Sequence, residues 1–107
     1  MKSSNILLVF ITVPSLKKGN ELAKKLLAKK LAACVNLIPK VESFYWWKGE
    51  IEMSEEVLLI VKTMKQKWKK LESFIRANHP YNVPEILGIE SLNSSIPYAQ
   101  WIRESLS

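Results

Sequence analysis

Cys34 and His79 are the only thiol and the only imidazole in a chain of 107 residues. Both are ligands that soft or borderline ions such as Cu(I) and Cu(II) accept. Neither sits in a spacing of the C-x-x-C or H-x-x-x-H type, so the pattern alone builds no metal site. A lone cysteine in a Val/Ile-rich stretch also serves as a small buried strand residue, and a histidine at a helix end readily bonds backbone. His79-Pro80-Tyr81 and Glu85 lie close together in sequence, where Tyr81 and Pro84 could equally pack a turn. There is no Gly-rich phosphate loop and no nucleophile paired with a base. Neither an enzyme nor an organic cofactor is expected.

These residues must be positioned by one domain, 1–107, because the length supports one core and not two. Apolar residues make up 48% and charged residues 24%, an ordinary globular balance. No apolar run reaches the roughly 18 residues of a membrane span, so no membrane partner is expected. The start, MKSSNILLVFITVP, has a short apolar stretch but no small-x-small cleavage site, and a Lys-rich segment follows. It reads as a strand and not as a leader. A single cysteine excludes an internal disulfide and suits a reducing, cytoplasmic compartment. The net charge is +6, with lysines concentrated in 17–30 and 65–76 and acids in 42–56. A basic balance can mean a nucleic-acid or anion partner, but the lysines read first as the solvated faces of two amphipathic helices.

Ile6–Val13 is unbroken and apolar, as expected of a central strand. Pro14 ends it and Ser15 can cap a helix, along which Leu22, Ala23, Leu26 and Leu27 keep helical spacing. Gly19 should weaken the first turns. Ala33–Trp47 reads as a strand that Pro39 marks as an edge or a bulge. Lys48-Gly49 is a tight turn and Glu50–Met53 alternates. Ser54-Glu55-Glu56 interrupts the rhythm and should bend the strand before the apolar run Val57–Val61. Trp68, Leu71, Phe74 and Ile75 mark a second helix that ends near Asn78-His79, before Pro80. Val83–Ser91 is the fourth strand. Ser94 or Ser95 caps a last helix with Tyr98, Trp101 and Ile102 on one face. The order β-α-β-β-α-β with an extra C-terminal helix predicts an α+β, ferredoxin-like sandwich, with both main helices on one side of an antiparallel sheet.

Phe44, Tyr45, Trp46 and Trp47 then lie at the tip of a hairpin. Fifteen extended residues span roughly 50 Å, longer than the roughly 34 Å diameter of a compact domain of this length. Alternation points Phe44 and Trp46 one way and Tyr45 and Trp47 the other. Two helices on one face cannot cover both sets. The four rings carry roughly 600–1000 Å². Leaving them in water forfeits up to about 15–25 kcal/mol, more than the roughly 5–15 kcal/mol stability of a domain. A second copy of the chain is the simplest supplier of cover. The competing reading folds the hairpin back over its own sheet.

The stretches ITVPS (11–15), LAACVNLIPKVESFYWWKGEIE (31–52), EVLLIVKT (56–63) and HPYNVPEI (79–86) resemble the CutA family of divalent-cation tolerance proteins, in the right order over nearly the whole chain. The resemblance implies a ferredoxin-like homotrimer similar to the PII signalling proteins, with the long hairpins packed across subunits through Phe44, Tyr45, Trp46 and Trp47. It implies tolerance to divalent metal ions, with copper or another divalent ion as the bound species, and it raises Cys34 and His79 as ligands. The PII-like arrangement suggests an intersubunit cleft lined by Tyr81, Glu85 and a neighbour's Trp47, which a small signalling ligand could fill without specific metal binding. Asn82 stands where the family motif commonly has Glu or another polar residue. RNA-recognition domains share this strand order, but their K/R-G-F/Y-G/A-F-V-x-F/Y pattern is absent. No nucleic-acid partner is expected.

Overall fold

In the computed structural model, which describes residues 4–107, the elements follow that order. They are β1 (Ile6–Val13), α1 (Leu16–Ala28), β2 (Cys34–Trp47), β3 (Glu50–Met64), a 3-10 turn (Lys65–Lys67), α2 (Trp68–Asn78), β4 (Ile86–Glu90) and α3 (Ile96–Leu106). The four strands form one antiparallel sheet in the order β2-β3-β1-β4, the ferredoxin-like arrangement. Residues 1–3, which open the stretch weighed as a leader, lie outside the described residues.

β1 is central because both of its faces are apolar. Val9, Ile11 and Val13 are buried together with Leu26, Leu59, Val61, Leu71 and Ile75 beneath α1 and α2. Each such side chain stabilises the fold by about 1.5–3 kcal/mol. Thr63 is a polar residue within this layer, and its hydroxyl donates to the Leu31 carbonyl at 2.8 Å. Ser15 caps α1 by accepting from the Lys18 amide. Gly19, expected to weaken the helix, is buried. A Cβ there would lie 3.0 Å from Leu37 and 3.4 Å from Val13, so its lack of a side chain lets α1 sit close to the sheet.

On the opposite face, Leu8 and Phe10 of β1, Leu58 and Ile60 of β3, and Leu87 and Ile89 of β4 form an apolar layer by their register. α3 covers one end of that face, where Ala99, Ile102 and Leu106 bury against Ile6 and Met64. Ser95 caps α3. Tyr98 and Trp101, expected on the same face as Ile102, instead stack on each other at 5.7 Å and stay exposed.

Two other expectations change. The fourth strand starts at Ile86, not Val83; Pro84 and the loop bonds of His79 and Tyr81 keep 79–85 out of the ladder. Ser54–Glu56 does not break β3, which stays paired through Ser43↔Ser54 and Glu42↔Glu55. The irregularity falls on β2, where the register shifts between Ile38 and Val41. Pro39 has no amide hydrogen to give, and Lys40 takes a left-handed φ of 60°. Two residues therefore oppose one, a β-bulge on an edge strand.

Candidate functional site: the hairpin and the loop after helix α2

The bulge resets the alternation of β2. Cys34, Asn36 and Ile38 pair with Lys62, Ile60 and Leu58 on the face away from α1 and α2, while past the bulge the odd-numbered Tyr45 and Trp47 take over that face. Phe44 and Trp46, opposite Met53 and Ile51, point to the other side. β1 ends at Val13, opposite Val57, so the hairpin runs on as two strands alone. The turn at its tip has φ of 50° at Lys48 and 79° at Gly49, the two positive values of a type I′ hairpin turn. The hairpin does not fold back. Phe44 and Trp46 remain 69% and 73% exposed, and Tyr45, Trp47, Ile51 and Met53 are exposed too. The molecule extends to 44 Å along its long axis.

The loop after α2 crosses the end of β1. His79, the residue that caps α2, contacts the Thr12 carbonyl through Nε2 at 2.7 Å. A carbonyl only accepts, so Nε2 carries the hydrogen and donates it. The Tyr81 amide donates to Nδ1 at 3.1 Å, and the rings of His79 and Tyr81 lie 4.8 Å apart. The Tyr81 hydroxyl then donates to Glu56 Oε2 at 2.9 Å. Glu56 is only 7% exposed, and no ion pair among the described residues involves it or Glu85. Burial, the bond to Glu56, the Glu56 charge and the charge of Tyr45 together push the Tyr81 phenol up to about 12. Burial first, and the Glu56 charge second, raise the Glu85 carboxyl above its ordinary value.

The structure thus brings Tyr81, Glu85, Glu56 and His79 to one place, with Tyr45 within electrostatic reach. Trp47 stands apart from them in its own chain. It is six positions beyond Val41, the partner of Glu56, or roughly 20 Å along the strand. Cys34 and His79 are also apart. Cys34 pairs at the level of Lys62 and Leu8, and His79 binds at the level of Thr12, a further roughly 13 Å along the sheet. Both ring nitrogens of His79 are engaged, and the Cys34 sulfur has Asn36 Oδ1 at 3.9 Å. Among the described residues no group of three or more His, Cys, Asp or Glu could hold a metal ion, so within one chain these residues do not fit one. Asn82 is exposed. Glu56 escaped the sequence reading. Its signal was a carboxylate immediately before the buried run Val57–Val61, a position where a charge needs a partner.

The family profile described as "CutA1 divalent ion tolerance protein" matches residues 7–105. The chain belongs to the CutA1 family. It is 42% identical over 97 residues to the divalent-cation tolerance protein CutA of Thermus thermophilus, covering 91% of this chain and 94% of that one. It is 43% identical over 95 residues to the human protein CutA, covering 89% of this chain but 53% of the human protein. The chain spans about half the length of the rice and human relatives. Among solved structures, the periplasmic divalent cation tolerance protein CutA of Archaeoglobus fulgidus superposes with a TM-score of 0.93 at 39% identity, over 95% of this chain and 99% of that one. The CutA fold accounts for the sheet order and the long hairpin. No helix among the described residues is long and apolar enough to cross a membrane.

Proposed function

We propose that the chain works as a homotrimer in the tolerance of divalent cations, with the hairpin of each subunit laid against a neighbour. The exposed rings carry this reading. Phe44 and Trp46 on one face of the hairpin, and Tyr45 and Trp47 on the other, stay exposed among the described residues. The apolar sheet face formed by Leu8, Phe10, Leu58 and Ile60 offers a matching surface. The sheet also ends in two unpaired edges, β2 and β4, so joining unlike edges around a ring would close it.

Copper or another divalent ion is the species we assign to this protein. Because one chain offers Cys34 alone and a His79 already bonded at both nitrogens, the metal is assigned to subunit boundaries, where several chains contribute ligands. The single cysteine supports a reducing, cytoplasmic setting, and no catalytic role is part of the proposal. A second reading is favoured by the cluster of Tyr81, Glu56 and Glu85. A neighbour's Trp47 would close that cluster into a cleft for a small ligand, with no specific metal.

Native mass spectrometry under reducing conditions, with and without stoichiometric copper, separates the two readings. A fixed number of copper ions per trimer, lost in Cys34→Ala, is expected. A ragged distribution, unchanged in that variant, contradicts metal binding and leaves the cleft.

A further inference from the structure

The positive charge is concentrated on one side of the molecule. Segments 17–30 and 65–76, which contain α1 and α2, hold eleven basic and two acidic residues, net +9. The rest of the chain holds five basic and eight acidic residues, net −3. Both helices pack over the same layer of the sheet, so their outward sides form one continuous surface. The two acids are neutralised locally, Glu21 by Lys18 at 3.7 Å and Glu72 by Arg76 at 3.5 Å. Lys65 is taken by Glu90, Lys30 by the Ser105 carbonyl, and Lys29 lies over the Phe74 ring at 5.4 Å. Lys17, Lys24, Lys25, Lys67, Lys69 and Lys70 have no carboxylate within ion-pair distance among the described residues.

We infer that this two-helix face docks onto double-stranded nucleic acid through its phosphate backbone, without reading bases. A basic balance admits such a partner, and the lack of an RNA-recognition pattern bears only on base stacking at the open sheet face. The chemistry here is different. Basic residues on the face are lysines with the exception of Arg76, point charges that follow a phosphate track but lack the fork that recognises guanine. Stacking an unpaired base needs an exposed ring, and the rings on these helices, Trp68 and Phe74, are tucked against the core. A membrane surface calls for apolar anchors beside the lysines. The large exposed apolar residues on α1 are Leu16 and Leu27, and α2 has none. α1 is about 20 Å long, a length over which a duplex presents roughly a dozen phosphates, enough to engage all six free lysines.

The test is fluorescence anisotropy of the full chain with a duplex of about 25 base pairs, titrated between about 50 and 200 mM salt. Affinity should fall linearly on a log–log plot, by roughly 10³-fold for six contacts. Lys24→Glu with Lys69→Glu should weaken binding at least about tenfold at fixed salt. Arg103→Glu, a charge reversal on α3 over the opposite face of the sheet, should leave it within about twofold. Circular dichroism melts establish that both variants fold. Equal weakening in the two variants, no binding at the lowest salt, or stronger association with acidic phospholipid vesicles than with the duplex would each overturn the inference.

Discussion

Tyr81 donates its phenolic hydrogen to Glu56 at 2.9 Å, across 25 positions of sequence. The bond ties the loop after α2 to β3, beyond the end of β1. It provides a nearly buried carboxylate with a neutral partner where no ion pair among the described residues involves it.

The first prediction concerns that bond. Tyr81 is held up to about 12 by burial and by Glu56, so its bond persists over the whole neutral range. Its folded value lies above the ordinary 10.0, so the stability it contributes is intact below that value and is lost as pH rises from there toward about 12. Ultraviolet phenolate titration should show one tyrosine ionising last. Glu56→Gln should lower that midpoint, because it removes the carboxylate charge. An unchanged midpoint would contradict the assignment.

Glu85 behaves in the opposite sense from an ion-paired carboxylate. Its folded value is raised above the ordinary 4.5, so the folded chain binds the proton more readily than the unfolded one. Stability therefore falls as pH rises from the ordinary 4.5 through the raised folded value. Glu85→Gln should raise the urea midpoint at about pH 7, and the advantage should shrink as pH falls toward the ordinary carboxyl value. A variant less stable than the wild type at neutral pH would show that Glu85 is paired.

His79 is predicted to be structural first. His79→Ala leaves the Thr12 carbonyl and the Tyr81 amide without the partners they have now. The expected loss is about 1–3 kcal/mol, measured by urea unfolding in the absence of metal. A stability equal to the wild type would free the imidazole for another role.

Lys40 holds the bulge of β2 in a left-handed backbone. Its φ of 60° is a conformation that glycine adopts without the clash a Cβ brings. Lys40→Gly should therefore raise stability to urea, by up to about 1 kcal/mol. The register with β3 and the facing of the four rings stay as they are, so size-exclusion chromatography should show assembly retained. A lower urea midpoint in Lys40→Gly would contradict strain at this position.

Much of this was legible in the sequence. The run Ile6–Val13 announced a central strand, Ser15 announced a cap, Ser94 or Ser95 announced another that falls on Ser95, and Pro39 announced an edge or a bulge where the chain has both. Lys48-Gly49 marked the turn, and the four rings marked a surface that one chain leaves exposed. What was not legible came from contacts between distant segments. Gly19 looked like a weak point in a helix until Leu37 and Val13 appeared beneath it. The expected bend at Ser54–Glu56 is absent because Ser43, Glu42 and Val41 pair with those residues from the neighbouring strand. Glu56 was invisible as a site residue because its partner lies in a loop whose path depends on His79 reaching the end of β1. The two residues singled out for metal chemistry were chosen by type, and type carries no information about the distance between them.

The central claim is self-association through the hairpin, and sedimentation equilibrium tests it most directly. The account predicts a particle of three times the 12.3 kDa chain mass, reduced toward a single chain when Phe44 and Trp46 are both replaced by serine. A wild-type particle at the mass of one chain would contradict it.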